Sequence, residues 1–597
     1  MHTVGTETEA PGRPARRLPL SRVRKGAAWA AGILLVGALL MFCYLRTAGT
    51  VPLLSDGAGN ALQAWQMLHG NVLLHGWWAT DVSFYTTELP ELTLIEVFTG
   101  LRPEVVHIGV ALTYTILVLL AAYAARGRAR GPEGAVRALI AGGIMLAPQP
   151  GAATWILQSS PDHVGTAVPV LIVLLVLDRA PRRCGTISRW YVPVLTAVLL
   201  AWGIVGDPLV EVIGSAALAV ACLVRIVPRV RNLRAAGYEL ALLGAAAVSL
   251  VLARAADWLI PHLGGFGVTA ARQAILAPPV VTGNLPLGWQ SVLAIFGADY
   301  PDASGARDTA FAFVHLAGVA LVLAAAVVAV WQLVRRLFRP PAAVGGVVPR
   351  GVVSGGAVPG GAVPGGAVFG GAGGGGGSPA RDDALMADVL VIASVANVAA
   401  FLLVFRLQNI YTAHEIGPVL TFGAVLAGRI FGGPLVRAGS WKTGSPRWRR
   451  AGRVAQGAAA ALLVCYAVML GSAADRSQPP PDNVSLAAWL TGHGLRHGLA
   501  AYWQGNDVRL ETSDRVQLLT VVPGRGGLTP RRWESQLALF DPATHTANFV
   551  VVVPGGRVTQ QEAVAVFGSP ARVYRQPGFT VLVWNKNLLK QLGAPVS

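Results

Sequence analysis

Long apolar runs separated by short polar loops occupy most of the chain up to residue 472. Most of these runs approach the roughly 20 residues that an α-helix needs to cross a bilayer. The runs lie near residues 27–45, 105–125, 138–157, 164–178, 190–206, 209–227, 238–257, 309–334, 385–405, 416–432 and 454–472. This pattern predicts a polytopic α-helical membrane protein with about 11 transmembrane helices.

The pattern changes after residue 472, where the apolar runs shorten to the length of β-strands. Three such runs predict strands at residues 516–522, 549–553 and 579–584. Thr559 and Glu562 precede a further apolar run with the spacing of a capping box, which predicts the start of a helix. Residues 473–597 are therefore predicted to form a small α/β domain.

Two segments without apolar periodicity bound the predicted membrane regions. Residues 1–26 are rich in proline and arginine, and we predict a disordered cytoplasmic tail. Residues 340–384 contain a degenerate Gly-Gly-Ala-Val-Pro repeat, which is typical of a flexible linker. The predicted membrane regions are therefore 27–339, with a large first outer loop at 46–104, and 385–472.

Composition and charge support a membrane protein. Hydrophobic residues make up 53% of the chain and charged residues only 13%, which is unlike a soluble domain. The net charge of +18 comes largely from arginines in short loops beside apolar runs, so it indicates topology and not nucleic-acid binding. Basic loops alternate with acidic loops, which predicts a multi-pass protein of the cell membrane with a cytoplasmic N-terminus and an extracytoplasmic C-terminal domain.

Acids and aromatic residues are concentrated in the first outer loop, where Asp56 follows soon after the first span. Its aromatic residues include Trp77, Trp78 and Tyr85, which we predict to stack on a sugar or a prenyl chain. An interfacial helix at residues 60–68 followed by an aromatic belt is the alternative interpretation. That alternative explains the aromatic residues but does not require the acids.

Further acids lie in the same loop and in the next predicted outer loop. Asp81 is part of the first outer loop, and Asp162 and His163 lie between two later spans. Carboxylate and imidazole groups there would bind sugar hydroxyls or a cation. A solvated turn is the alternative for Asp162 and His163, because Pro161 favours a turn.

A polar cluster ends the ninth predicted span and comprises Arg406, Tyr411, His414 and Glu415. Basic residues are enriched in cytoplasmic loops, so an arginine on the outer side is unexpected. Its planar guanidinium is suited to hold a lipid phosphate with two hydrogen bonds. His414 and Glu415 are alternatively a boundary pair whose side chains reach the membrane surface.

Three well-known catalytic motifs are absent from the sequence. It contains no His-Glu-x-x-His metal motif, no Gly-x-x-x-x-Gly-Lys-Ser/Thr phosphate loop and no Gly-x-Ser-x-Gly elbow. The glycines of the linker do not join a strand to a helix, as a nucleotide-binding loop would. These absences argue against a soluble nucleotide-sugar donor.

The architecture resembles the GT-C superfamily of membrane glycosyltransferases. The resemblance rests on the number of spans, on Asp56 in a large first outer loop, on acids in further outer loops and on an outer C-terminal domain. It implies a polyprenyl-phosphate sugar as donor and an acid of the first outer loop as catalytic base. Many members carry paired acids there, whereas in this chain the next acid after Asp56 is Asp81, so the resemblance does not decide whether a divalent cation is a cofactor. Asp56 and Asp162 would hold such a cation.

We therefore predict an inverting hexosyl- or pentosyltransferase whose acceptor is a hydroxyl of an envelope glycan, lipid or protein. Asp56 would remove the acceptor proton, and Arg406 would stabilise the leaving phosphate with help from Tyr411 and His414. Two alternatives from other classes are a transporter or flippase of a lipid-linked substrate and a non-catalytic envelope scaffold. The chain has no evident internal repeat and few charges within its spans, which argues against a transporter.

Overall fold

The structure is a computed structural model that describes residues 20–146, 151–180, 190–269, 274–301, 303, 305–338, 380–440, 446–477, 483–524 and 527–596. The predicted cytoplasmic tail, as far as residue 19, lies outside the described residues. So does the predicted linker from residue 340 to residue 379.

A helix or a helix pair coincides with each predicted span, which confirms the mostly helical membrane fold. The helices are α1 (Leu20–Ala48), α2 (Ser55–Leu68), α3 (Glu88–Thr99), α4 (Glu104–Arg126), α5 (Gly131–Ile144), α6 (Ala152–Gln158), α7 (Ala167–Arg179), α8 (Tyr191–Gly206), α9 (Ala217–Ile226), α10 (Gly237–His262), α11 (Pro278–Ile295), α12 (Ala306–Phe338), α13 (Ala380–Val404), α14 (Gly417–Ser440), α15 (Pro446–Ala474), α16 (Val484–Gly492), α17 (Tyr502–Glu511) and α18 (Gln560–Phe567). Within the described ranges, 8 helical segments are long and apolar enough to cross a membrane, and α8 is a shorter apolar helix.

The predicted span at residues 138–157 is a helix pair and not one helix. α5 ends at Ile144 and α6 begins at Ala152, while residues 147–150 lie outside the description. The sequence places Pro148 and Pro150 in that interval, and proline lacks the amide hydrogen that a continuous helix requires. The short α6 leads directly into the loop that carries Asp162.

Helix α14 lies at the centre of the bundle and packs against α4, α5, α12, α13 and α15. Its glycines permit close approach, since a Cβ on Gly428 would lie 2.5 Å from the backbone oxygen of Arg137. Small residues at helix contacts are common in membranes, where lipid removes the hydrophobic drive for association. A 3₁₀ helix at Ile410–Ile416 leads into α14 and carries His414 and Glu415, so these two side chains are attached to the best-packed part of the bundle.

The C-terminal domain is built on a six-stranded sheet of order β5-β4-β3-β7-β9-β8. Its strands are β3 (His497–Ala500), β4 (Gln517–Gly524), β5 (Gly527–Pro530), β7 (Phe549–Val552), β8 (Arg572–Gln576) and β9 (Phe579–Val583). β3 pairs in parallel with both β4 and β7, and the remaining pairs are antiparallel. Apolar side chains fill both faces of the sheet. The predicted α/β domain, its three strands and the capping box of α18 are confirmed.

A second sheet joins the membrane region to the C-terminal domain. Its strands are β1 (Trp77–Ala79), β2 (Gly267–Val268) and β6 (Ser535–Gln536), in the order β2-β1-β6. β1 comes from the first outer loop, β2 from the loop after α10 and β6 from the C-terminal domain. The first loop and the C-terminal domain therefore lie on the same side of the helix bundle.

Helix α2 begins earlier than the interfacial helix considered from the sequence, and its first half is buried. The side chains from Ser55 to Ala64 are almost all enclosed, and the helix packs against α3 and α17. Gly59 permits close packing, because a Cβ there would lie 3.0 Å from the side-chain nitrogen of Asn506 on α17 and 2.6 Å from Glu534 Oε2. The C-terminal domain thus covers the helix that carries Asp56.

Candidate active site

A cavity of about 440 Å³ lies where the first loop, the loops after α6 and α13, and the C-terminal domain meet. Acids outnumber basic groups along its wall. Its ionisable residues, apart from tyrosine, are Asp56, Asp81, Asp162, His163, His414, Glu415, Arg531, Glu534 and Arg557. Such a wall offers acceptors to sugar hydroxyls and a few cationic groups to an anion.

The C-terminal domain meets the cavity near the carboxyl ends of three parallel strands. Tyr502 follows β3, Val521 and Val522 belong to the second half of β4, and Val553 follows β7. Binding sites of open α/β sheets commonly form at this edge, because the loops there diverge and leave a crevice. The domain therefore contributes one wall of the site.

Asp56 lies in the first turn of α2, where the helix N-terminus favours a negative charge. The hydroxyl of Tyr502 donates to Asp56 Oδ1 and lies 2.7 Å from Oε2 of Glu534. The Oγ of Ser55 donates to the backbone oxygen of Tyr502 at 2.5 Å. These contacts fix the N-termini of α2 and α17 against each other at the edge of the cavity.

Burial raises the pKa of Asp56 to about 6, although the hydrogen bond from Tyr502 lowers it in part. A carboxylate with this pKa is ionised at neutral pH and is still basic enough to accept a proton during a reaction. Burial also raises the pKa of Glu534 well above its usual range, and the nearby charge of Asp56 raises it further. Asp56 is therefore the better candidate for a base.

Arg531 brings positive charge to the same wall. Its Cζ lies 4.5 Å from the ring centroid of Tyr502 and 5.5 Å from that of Trp533. Such contacts with aromatic rings stabilise a guanidinium without using its hydrogen-bond donors. Arg531 and Arg557 also line the cavity, so together they can bind an anionic group.

His163 is held between two carboxylates. Its Nδ1 lies 2.7 Å from Oδ2 of Asp207, and its Nε2 lies 3.2 Å from Oε2 of Glu415. Burial alone would lower the pKa of His163, but the charges of Asp207 and Glu415 raise it well above its usual range. Asp207 is itself held by the hydroxyl of Thr166 and by the amide of Leu209 at 2.8 Å.

Three side chains of the cavity could hold a metal ion. One ligand atom from each of Asp162, His163 and His414 lies within 4.8 Å of the others. Imidazole and carboxylate ligands suit several divalent cations, and the contact of His163 with Asp207 is the kind that orients a metal-binding histidine. The residue types therefore fit a divalent cation once His163 has released the proton that faces Glu415, with Asp56 outside the cluster and bound to Tyr502.

No protein family model matches the chain, and no curated protein matches it. Two solved structures are similar to it along nearly its whole length. Both are of ArnT from Cupriavidus metallidurans, one bound to undecaprenyl phosphate and one in the apo state. Each alignment covers 95% of this chain and 99% of the other at 14% sequence identity, with TM-scores of 0.49 and 0.47. At these values the likeness assigns neither a family nor an activity to this chain.

Six of the residues singled out from the sequence line the same cavity. They are Asp56, Asp81, Asp162, His163, His414 and Glu415. They come from the first loop, from the loop after α6 and from the 3₁₀ helix before α14. The structure thus brings together acids that are more than 350 positions apart in the chain.

The other sequence-predicted residues do not line the cavity. Arg406 is exposed next to Phe405, which does line it, and the ring of Tyr411 packs on Trp155 at 4.2 Å. The aromatic residues of the first loop are used in packing. Trp77 and Trp78 form β1, and the ring of Tyr85 packs on that of Phe266.

The sequence interpretation did not identify the residues that the C-terminal domain contributes. These are Tyr502, Arg531, Glu534 and Arg557. A partial signal was available, because Arg531, Trp533 and Glu534 lie close together between predicted strands, where α/β domains carry functional loops. The backbone of Glu534 has a φ of 42°, which is uncommon for a residue with a side chain and often marks a functional position.

Proposed function

We propose that the chain is an integral-membrane glycosyltransferase that transfers a sugar from a polyprenyl-phosphate donor to an acceptor hydroxyl. The observation that carries the proposal is a half-buried carboxylate, Asp56, in one cavity with Arg531 and Arg557 at the end of a membrane helix bundle. A base, an anion-binding pair and further acids for sugar hydroxyls are the groups that such a transfer requires. The side that bears the cavity is the outer side of the cytoplasmic membrane in this proposal.

Asp56 accepts the proton of the acceptor hydroxyl while its oxygen attacks the anomeric carbon of the donor. The bond from that carbon to the phosphate oxygen breaks, and the polyprenyl phosphate leaves with the electron pair. Arg531 and Arg557 stabilise the negative charge that grows on the phosphate. A single displacement of this kind inverts the anomeric centre.

Asp81, Asp162 and Glu415 accept hydrogen bonds from hydroxyl groups of the bound sugar. Asp162, His163 and His414 would hold a divalent cation once His163 is unprotonated, and the ion would supply positive charge to the site. The acceptor, an envelope glycan, lipid or protein, enters from the aqueous side.

The test is transfer by the purified protein in lipid nanodiscs. Radiolabelled polyprenyl-phosphate sugars, tried as a panel, are incubated with a delipidated envelope fraction as acceptor, and label that moves into the acceptor is counted. We expect transfer with one member of the panel and its loss in Asp56→Asn. No transfer from any donor, with folded protein confirmed by size-exclusion chromatography, contradicts the proposal.

A second assay distinguishes the transporter alternative. The protein is reconstituted in vesicles with a fluorescent polyprenyl-phosphate sugar, and its movement between leaflets is followed by quenching from outside. A glycosyltransferase leaves the leaflet distribution unchanged. Movement between leaflets that persists in Asp56→Asn, without any glycosylated product, favours a flippase.

A further inference from the structure

The hydroxyl of Tyr502 lies between two carboxyl groups. It contacts Oδ1 of Asp56 on one side and Oε2 of Glu534 at 2.7 Å on the other. A hydroxyl has one hydrogen to donate, and an ionised carboxylate has none. Two hydrogen bonds along this chain of three oxygens therefore require a second proton, which one of the two carboxyl groups must carry.

The surroundings favour Glu534 as the group that carries the proton. Its residue is only 1% exposed, and it lies beside the ionisable Asp56. Asp56 has the favourable position at a helix N-terminus and takes a hydrogen bond from Tyr502. The other charged groups near the pair are Asp162, His414 and Arg531. The charge of Asp162 raises the pKa of Asp56, and the charges of His414 and Arg531 lower it.

We infer that Glu534 is a positioning residue that, as a neutral carboxylic acid, donates to Tyr502 and thereby directs the Tyr502 hydroxyl to an ionised Asp56. This inference rests on the proposed function, in which Asp56 is the base. In the resulting chain, Glu534 donates to Oη of Tyr502 and Oη donates to Oδ1 of Asp56. Glu534 thus orients the carboxylate of Asp56 through Tyr502 and not by direct contact.

The backbone around Glu534 supports a dedicated role. Its left-handed conformation, with a φ of 42°, is costly for a residue with a side chain. The amide of Asn506 donates to its backbone oxygen at 3.1 Å, and Gly59 on α2 leaves room for its carboxyl group. The strained residue is therefore held by both the C-terminal domain and α2.

The first test is spectroscopic and does not depend on activity. Infrared spectra of wild type and Glu534→Gln are compared at neutral pH, and the variant should lose one carbonyl band of a protonated carboxylic acid. In Tyr502→Phe that band should shift, because the acid loses its acceptor. Glu96→Gln is the control, because it identifies the band of Glu96, and that band should be unchanged in Tyr502→Phe. If Glu534→Gln removes a carboxylate band instead, Glu534 is ionised and the inference is wrong.

The second test uses the pH dependence of transfer. Glu534→Ala should lower kcat and move the acidic limb of the pH profile to higher pH. Glu534→Gln should recover much of the rate, and its acidic limb should lie near the wild-type position. If Glu534 were ionised, Glu534→Gln would remove a negative charge beside Asp56, and the limb would move to lower pH. Transfer that is absent from wild type while the protonated-acid band is present would instead contradict the proposed function.

Discussion

At the scale of single residues, the environment of Asp56 decides what the cavity can do. Its side chain is half-buried, lies at a helix N-terminus and accepts a hydrogen bond from Tyr502. Burial makes the carboxylate more basic, while the hydroxyl and the helix keep it ionised. A general base near neutral pH needs both effects.

Asp56→Asn should lower turnover by roughly 10²–10⁴-fold, the usual contribution of a general base. The amide retains the size of the side chain but cannot take a proton. In wild type, activity should fall as the pH drops through about 6, because the base is then protonated. Steady-state transfer measured across pH tests both statements, and transfer at the wild-type rate in Asp56→Asn would remove Asp56 from the mechanism.

The two arginine positions give a matched pair. Arg531→Ala should raise the KM for the donor by about 10–100-fold, since a charge-assisted hydrogen bond to phosphate is lost. Arg406→Ala removes the same charge from an exposed site beside the cavity and should leave the KM nearly unchanged. The transfer rate, measured at several donor concentrations, gives the KM of each variant and shows which arginine binds the donor. If only Arg406→Ala raises the KM, the role that the sequence predicted for Arg406 is the correct one.

At the scale of elements, α3 combines an exposed apolar face with buried acids. Leu94, Val97 and Phe98 are exposed, as expected for a helix that lies against lipid. Glu96 faces inward and is 2% exposed, and within the described ranges neither of its carboxylate oxygens has a hydrogen-bond partner. The buried carboxyl group of Glu96 without a hydrogen-bond partner therefore costs stability.

The stability of the protein should depend on pH through Glu96. Burial raises its pKa from 4.5 to about 9, so the folded state keeps a proton that the unfolded chain releases. The free energy of unfolding should therefore fall as the pH rises between these values. At pH near 8, Glu96→Gln should be more stable than wild type by about 1–3 kcal/mol.

Thermal unfolding in detergent at several pH values measures this effect. Glu133→Gln is the control, because Glu133 is 41% exposed and pairs with Arg137 on the surface. Its unfolding temperature should follow wild type across the pH range. A Glu96→Gln variant with the same pH dependence as wild type would show that Glu96 is ionised and solvated.

Elements with a strong local signal in the sequence were predicted, and elements with a weak local signal were missed. A bilayer requires long apolar runs, so each span was visible, and the capping box located the start of α18. β3 was missed because His497-Gly-Leu-Ala500 is too short to show an alternating pattern. Tyr502, which follows it, was missed for the same reason. Nothing local distinguishes the exposed Arg406 from the cavity-lining Arg531, since the difference arises from tertiary packing.

At the scale of the whole molecule, the predicted topology can be tested with reporter fusions. Fusions at residues 75 and 540 should report the outer side and a fusion at residue 360 the inner side. The pairing of β1 with β6 requires that the first two agree, because it places the first loop beside the C-terminal domain. If residues 360 and 540 report the same side, the number of crossings between them differs from the prediction by an odd number.

The chain separates Asp56 and Tyr502 by 446 positions. During synthesis, the first loop is made while most of the helices and the whole C-terminal domain are still absent. Contacts of such sequence separation form late, because the entropy of closing the intervening loop must first be overcome. A ribosome-bound or truncated chain that has inserted every helix therefore still lacks one wall of the cavity. If the proposed function is correct, such an unfinished chain cannot transfer sugar, because Tyr502 and Arg531 are still missing from the cavity.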